Sequence, residues 1–318
     1  MSATTTAGKT KRLPQQKESI LKRFWKTRFL FALWLPALIF YIIFHYVPMW
    51  GVSMAFFDYD LWRGWEGSEF VGFYNFQVFF KSPDFWRITR NTLIIGFQNI
   101  FIAFPITVLF SLLLNEVRNL KFKKVVQTVS YMPHFLSTVV VCGLVSSLLD
   151  PTTGAINTII KMFGGEAIYF LARPDMFRGV YLVSGIWQGL GWGTIVFLAA
   201  ISGVDPTLYE AARLDGAGRW RQIWNITLPS IAPTTATMFI LRVGHVMDAA
   251  LEKTLLLQRP ITYETSQVIS TYVYFKGLGS APDYGLSTAV GLFSSLVNLT
   301  LLLSSNWVCK KLTDQGIF

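Results

Sequence analysis

The sequence predicts an all-α integral membrane protein with six transmembrane helices and both termini in the cytosol. Three observations predict it. Of 318 residues, 52% are hydrophobic and only 14% charged, where a soluble domain carries about 25% charged residues. Mean hydropathy is +0.43. Apolar segments of about 20 residues recur along the chain, each able at about 1.5 Å per residue to cross a hydrocarbon core of ~30 Å. Finally, Lys and Arg crowd into every other polar segment, which orients a membrane protein with those segments inside.

The elements follow in order. Residues 1–28 form a basic tail, with Lys9, Lys11, Arg12, Lys17, Lys22, Arg23, Lys26 and Arg28 against Glu18 alone; they are expected in the cytosol. Residues 29–47 are the first span, in which Pro36 is tolerable because membrane helices accept proline. An aromatic, Gly-containing outer segment with Asp58, Asp60, Glu66, Glu69 and Asp84 leads to the second span, 92–114. Arg118, Lys121, Lys123 and Lys124 make a short inner loop. The third span is 126–149, with Pro133 and His134 near its cytosolic end, and 150–178 is outside. The fourth span, 179–202, holds Trp187, Gln188, Gly191 and Trp192. An inner loop at 204–229, a fifth span at 230–251, an outer segment at 252–284 and a sixth span at 286–308 complete the transmembrane domain, 29–308. Residues 309–318 end the chain inside with Lys310 and Lys311. This order puts seventeen Lys and Arg inside and ten in the longer outer segments.

A net charge of +10 in a soluble protein would point to nucleic acid. Here the basic residues flank apolar segments, so orientation against membrane lipid explains them and no nucleic-acid partner is expected. The two cysteines, Cys142 and Cys309, lie in apolar or membrane-edge sequence without metal-ligand spacing, so neither zinc nor a disulfide framework is expected. The first apolar run lacks a small-residue cleavage site, so no cleavable signal peptide is expected. No Gly-x-x-x-x-Gly-Lys-Ser/Thr loop, nucleophile elbow or His-Glu-x-x-His occurs. The paired acids Asp58/Asp60 and Glu66/Glu69 read as solvated loop residues rather than a glycosidase pair. The chain is therefore not expected to be an enzyme.

The most informative stretch is Tyr209 to Pro229, YEAARLDGAGRWRQIWNITLP. Asp205 can cap a helix whose first residue is Pro206, where a missing N–H costs nothing. Ala211 and Ala212 follow Glu210 and keep one surface flat enough for close approach by another protein. Gly216 suits the left-handed residue that closes the helix. A second short helix over about 217–225 is expected next, with Pro229 opening the fifth span. The positive-inside rule alone accounts for Arg213, Arg219 and Arg221, but not for Glu-Ala-Ala, Gly216 and Ile226-x-Leu228-Pro229 at these offsets.

That spacing resembles the EAA loop of permease subunits in binding-protein-dependent ABC importers, and every fixed position of the family pattern is matched. Further pieces are similar to the polysaccharide and oligosaccharide branch of the maltose-type superfamily, whose permeases work with lipoproteins. They are Tyr46-x-Pro48-Met49-x-Gly51, Ala55-Phe56-x-x-Tyr59, Gly154-x-Ile156-Asn157, Tyr272-x-Tyr274, Gly277 and Ala289-x-Gly291-Leu292. The resemblance covers nearly all the chain after the tail. It implies the type I ABC importer permease fold in the bacterial plasma membrane. It also implies Glu210, Ala211, Ala212, Gly216, Leu228 and Pro229 as ATPase-coupling residues. The implied partners are a second, related permease, two cytosolic ABC ATPases and an extracytoplasmic solute-binding lipoprotein. ATP and Mg would be bound by the ATPases and no cofactor by this chain. The implied activity is ATP-driven import by alternating access of an oligosaccharide or modified sugar.

Path residues are read from chemistry. The ionisable residues of the fifth span are Arg242, His245 and Asp248. On a continuous helix of about 100° per residue these three and Glu252 share one sector of about 120°, which should face away from lipid. That stripe is either part of the translocation path or a structural network with a partner subunit. Trp187, Gln188 and Trp192 are softer path candidates, because aromatic faces stack on sugar rings and amides bond hydroxyls; interfacial or packing roles suit them equally. Asn91, Gln98, Asn99 and Asn298 read as helix–helix hydrogen-bonding residues. An ion-coupled secondary transporter is the alternative class, for which Asp248 is the one intramembrane acid.

Overall fold

The structure is a computed structural model that describes residues 20–313, 316 and 317, with side chains from 27 to 311 and at 316 and 317. Residues 1–19 of the expected cytosolic tail lie outside the described residues. Among the described residues the protein is mostly helical, with one two-stranded ribbon pairing Phe57–Asp58 antiparallel to Glu69–Phe70. Among the described residues, five helices are long and apolar enough to cross a membrane: Thr27–Phe56, Asp84–Glu116, Pro174–Ser202, Arg219–Val243 and Tyr284–Lys311. A sixth span exists if a bent pair, Leu120–Phe135 with Thr138–Leu148, is counted as one.

The chain divides after Ser53 into two compact units. The first carries the N-terminal apolar helix, whose large side chains, such as Phe29 and Leu33, are exposed. The second holds three buried clusters. One joins Phe79, Ile88, Met247, Tyr272 and Val290; one joins Ile95, Phe177, Leu257 and Val268; one joins Phe104, Phe197, Ile223 and Ile231.

The segment expected as the third span, 126–149, is not one continuous helix. The chain bends by 104° between Phe135 and Thr138. Pro133 has no N–H to give an α-helical bond, so the helix tightens into a 3₁₀ turn at Met132–Phe135. A new helix then starts at Thr138, with Ser137 accepting from the Val140 N–H at 3.4 Å. The preceding helix, Leu120–Tyr131, has its own cap in Asn119. Bent in this way, it lies against the fourth span at Gly191, where a β-carbon would overlap the Ser130 carbonyl.

The fifth span also departs from expectation, at both ends. It starts at Arg219 and runs without a break through Pro229, where two helices were expected. A π turn at Ile223–Thr227 makes this possible: the Leu228 N–H reaches back five residues to the Ile223 carbonyl, immediately before the proline that has no N–H to offer. The same arrangement recurs twice. Ile42–Tyr46 is a π turn before Pro48, and Asn99–Ala103 is one before Pro105. At its other end the fifth span stops at Val243 rather than near residue 251. His245 and Val246 donate to Arg242 and Val243, a tighter turn, and the Met247 N–H is taken by Asn298 Oδ1 at 3.0 Å on the last helix. A separate helix, Leu251–Leu257, follows.

Asn157 organises the segment after Leu148. Its side chain donates to the carbonyls of Leu149, Asp150 and Ile168 and accepts from the Ile168 N–H at 2.8 Å, and it is fully buried. Beside it the hydroxyl and N–H groups of Thr152 and Thr153 hold the Asp150 carboxyl well below the usual carboxylate range. Asn157→Ala leaves buried backbone groups unpaired, at about 1–3 kcal/mol each. The variant should be cut by added protease between residues 150 and 170 at least tenfold faster than wild type. An unchanged cleavage rate would remove Asn157 as the organiser of this segment.

Candidate functional site

The structure assembles two places of interest, a polar loop at 203–218 and a charged cavity at the end of the fifth span.

In the loop, Asp205 accepts from the Thr207 N–H at 2.9 Å and Pro206 opens the helix Pro206–Leu214. That backbone hydrogen bond, with the Thr207 side chain, lowers the Asp205 carboxyl below its ordinary value, so the cap is ionised at neutral pH. The helix closes as a Schellman motif. Gly216 sits at φ +74°, its N–H bonds Arg213 O at 3.1 Å, and the Ala217 N–H bonds Ala212 O at 2.8 Å. Tyr209 Oη and Thr227 Oγ1, 3.0 Å apart, tie the loop to the helix that continues into the membrane. Arg219 approaches Glu116 of the second span at 3.8 Å. Glu210 and Ala211 are exposed and Ala212 is half-buried, while Leu214 is 90% exposed. Leu228 and Pro229 lie above the π turn in the long helix rather than at the mouth of a new one.

The cavity, about 280 Å³, is lined from the second span by residues including Asn99 and from the fifth by Arg242, His245 and Asp248. The three residues therefore meet, though not on the helical stripe expected of them. The helix has ended, and a turn carries His245 and Asp248 round to Arg242. Glu252, the fourth member of the expected stripe, does not line the cavity. His245 Nδ1 lies 2.8 Å from Asp248 Oδ2, and Asn298 Nδ2 donates to Asp248 Oδ1 at 2.8 Å. Arg242 stands apart, its guanidinium carbon 5.3 Å from the centre of the Phe104 ring. A cation–π contact of this kind contributes about 0.5–2 kcal/mol.

Trp187, Gln188 and Trp192 do not line this cavity; they meet the bent third segment. Trp192 stacks on His134 at 4.5 Å with 6° between rings, and Gln188 Nε2 donates to Leu136 O at 3.4 Å. Trp187 borders an apolar groove with Val125, Val129 and Pro133. Of the expected helix-bonding residues, Asn91 donates to Glu264 O and Gln267 O and accepts from Arg178, and Asn298 bonds both Met247 N and Asp248.

Sequence reasoning missed Lys253, which it placed in a solvated outer segment. The side chain is buried, with Nζ donating to Tyr181 O at 2.9 Å and lying 4.5 Å from the Tyr181 ring centre. Burial pushes its ammonium down to about 8. Gly185 makes the room: a β-carbon there would stand 3.0 Å from Nζ. A lysine five residues from Asp248 carries no signal of this, because the pocket is made by the fourth span.

The family model for the binding-protein-dependent transport system inner membrane component matches residues 90–314. The chain belongs to this family. The permease is 42% identical to the polygalacturonan/rhamnogalacturonan transport system permease protein YteP of Bacillus subtilis (strain 168), over 96% of this chain and 94% of the relative. It is also 42% identical to protein LplB of the same organism, over 92% of each. Among solved structures, a chain of a bacterial alginate ABC transporter, in complex with a periplasmic protein bound to alginate pentasaccharide, superposes with a TM-score of 0.86. That chain is 40% identical to the permease and is 99% covered, against 94% of this chain. The permease is thus a multi-pass membrane component of an ABC importer; nothing in these relatives supports ion-coupled secondary transport.

Proposed function

We propose that this permease passes an oligosaccharide inward by alternating access, driven by ATP hydrolysed on separate cytosolic subunits. The observation that carries this reading is the loop Pro206–Leu214. It is capped at one end and closed by Gly216 at the other, and it is left with Glu210, Ala211 and Leu214 exposed. A flat Ala surface beside an exposed leucine and a carboxylate is a docking surface for a protein that supplies the nucleotide. Tyr209–Thr227 and the unbroken helix above it connect that surface to Arg242. Glu210, Ala211, Ala212 and Gly216, with Leu228 and Pro229 in the helix they drive, are the coupling residues. ATP and Mg belong to the ATPases.

The assembly is two related permeases, two ATPases and an extracytoplasmic binding protein. The alginate transporter, whose structure contains a sugar-bound periplasmic protein, supports the last of these. YteP is named for polygalacturonan and rhamnogalacturonan, and these names support a saccharide cargo. The cavity bearing Arg242, His245 and Asp248 is the path. Trp187, Gln188 and Trp192 hold the bent third segment against the fourth span.

The topology has six spans, with the bent pair counting as one, and both ends in the cytosol. Residues 1–28 and 309–318 flank a transmembrane domain at 29–308 whose coupling loop is 204–229. A cysteine at Lys161 should then react with a membrane-impermeant thiol reagent added outside, and one at Arg213 should not; the reverse pattern would place the loop away from ATP and end this reading. Docking is tested by Glu210→Lys. Loss of a charge pair at a protein interface costs about 2–5 kcal/mol, so co-purified ATPase and uptake should each fall more than tenfold while the permease stays in the membrane. Wild-type levels of both would dismiss the docking role.

A further inference from the structure

We propose that the cavity at the end of the fifth span is a carboxylate-binding subsite and that Arg242 reads the acid group of a uronic-acid-containing oligosaccharide. The inference rests on the reading of this cavity as the translocation path.

Charge bookkeeping within the cavity carries it. One permanent cation, Arg242, and one acid, Asp248, line the space, yet they are not each other's partner. Both carboxylate oxygens of Asp248 are engaged, one by His245 Nδ1 and one by Asn298 Nδ2. Asn298 is in turn fixed by the Met247 N–H. The acid is committed to holding the turn that ends the helix. Arg242 has no carboxylate within 4 Å and makes no hydrogen bond among the described residues; its one contact of this kind is with the Phe104 ring. A guanidinium held only by an aromatic ring keeps its N–H donors open. At membrane depth such a group is retained where it faces a cavity and a partner.

The surroundings are built to leave that fork open. The π turn bonds the Phe104 N–H to Asn99 O five residues back, which brings Asn99, on the cavity wall, and Phe104, beside Arg242, toward one side of the second span. On the fourth span, a β-carbon built on Gly193 would stand 4.0 Å from Nη2 of Arg242, so the glycine leaves room beside the guanidinium. A planar fork of five donors matches a carboxylate with two parallel hydrogen bonds. The hydroxyls of a neutral sugar need no permanent cation, and amides serve them at lower desolvation cost.

The test uses the complete importer in liposomes, with its binding protein, and two probes: trigalacturonate and its neutral methyl ester. The wild type should take up the acid in preference to the ester. In R242Q the ratio of acid to ester uptake should fall at least about tenfold, the usual scale for a lost charge-assisted pair. R242K, which keeps the charge but not the fork, should hold a ratio between the two. An unchanged ratio in R242Q would remove the assignment of Arg242 while leaving the importer intact. Loss of the partner permease from R242Q would overturn it too, making Arg242 half of an ion pair between subunits. A wild-type complex that moves neither probe would discard the acidic class, and the subsite with it.

Discussion

Gly216→Val should abolish uptake while the permease still inserts and accumulates. Nothing lies within 4 Å of a β-carbon built on Gly216, so no clash is involved. The effect is entirely in the backbone. Gly216 holds φ +74°, a region that costs an ordinary L-residue about 1–2 kcal/mol and a branched one more. Valine escapes by leaving that region, and the two hydrogen bonds that close the helix, to Ala212 and Arg213, go with it. The helix Pro206–Leu214 then loses its fixed exit, and Glu210 and Leu214 lose their place relative to the long helix starting at Arg219. Gly216→Asn is the control, since asparagine tolerates the left-handed region; it should keep a substantial part of uptake. If valine and asparagine variants transport equally well, the closing geometry of the loop has no part in coupling.

Gly96→Val should act earlier, on the protein itself. A β-carbon at Gly96 would overlap the Val246 carbonyl oxygen, and backbone cannot move aside as a flexible side chain can. This is where the second span packs on the turn that carries His245 and Asp248. Forcing atoms into such a contact costs about 1–3 kcal/mol, and the upper end applies where backbone must shift. The variant should be nearly absent from membranes, and any surviving fraction should melt well below wild type. Gly143→Val is the matched control, with nothing within 4 Å. Equal abundance and melting of the two variants would mean that the close approach at Gly96 is not required.

These two glycines show what the sequence disclosed and what it hid. Gly216 was legible because its signal is local: Asp205, Pro206 and the glycine lie within twelve residues and obey helix-end rules on their own. The contact at Gly96 was illegible, because its partner is 150 residues away. The end of the fifth span was misread for the same reason. Residues 230–251 are apolar enough to continue a helix, and the group that stops it, Asn298, comes from another one. That misreading still gathered Arg242, His245 and Asp248, since a turn and a helical face can bring the same three residues together. The bend in the third segment was hidden for a different reason. Pro133 was seen, but proline in a membrane helix is compatible with a mild kink or a 104° bend, and the choice lies with Ser137 and the facing Gly191. The fold's membrane character and the capped helix Pro206–Leu214 were thus readable, whereas the cavity's geometry needed the packed structure.

The three π turns before Pro48, Pro105 and Pro229 have a consequence for phase. Each stores one surplus residue in a helix that would otherwise run in α register. One residue is worth about 100° of rotation and 1.5 Å of length. In the helix Arg219–Val243 the surplus sits between the end that meets the loop at 203–218 and the end that carries Arg242. The angle at which Arg242 leaves the helix, relative to the loop at the other end, is therefore set by a single residue's worth of winding at 223–227. Pro229 has no N–H to give the Asn225 carbonyl and its ring would crowd that carbonyl in α register, which favours the π winding before it. The two ends of the helix thus stand at a rotational offset set by the pentad and not by either end.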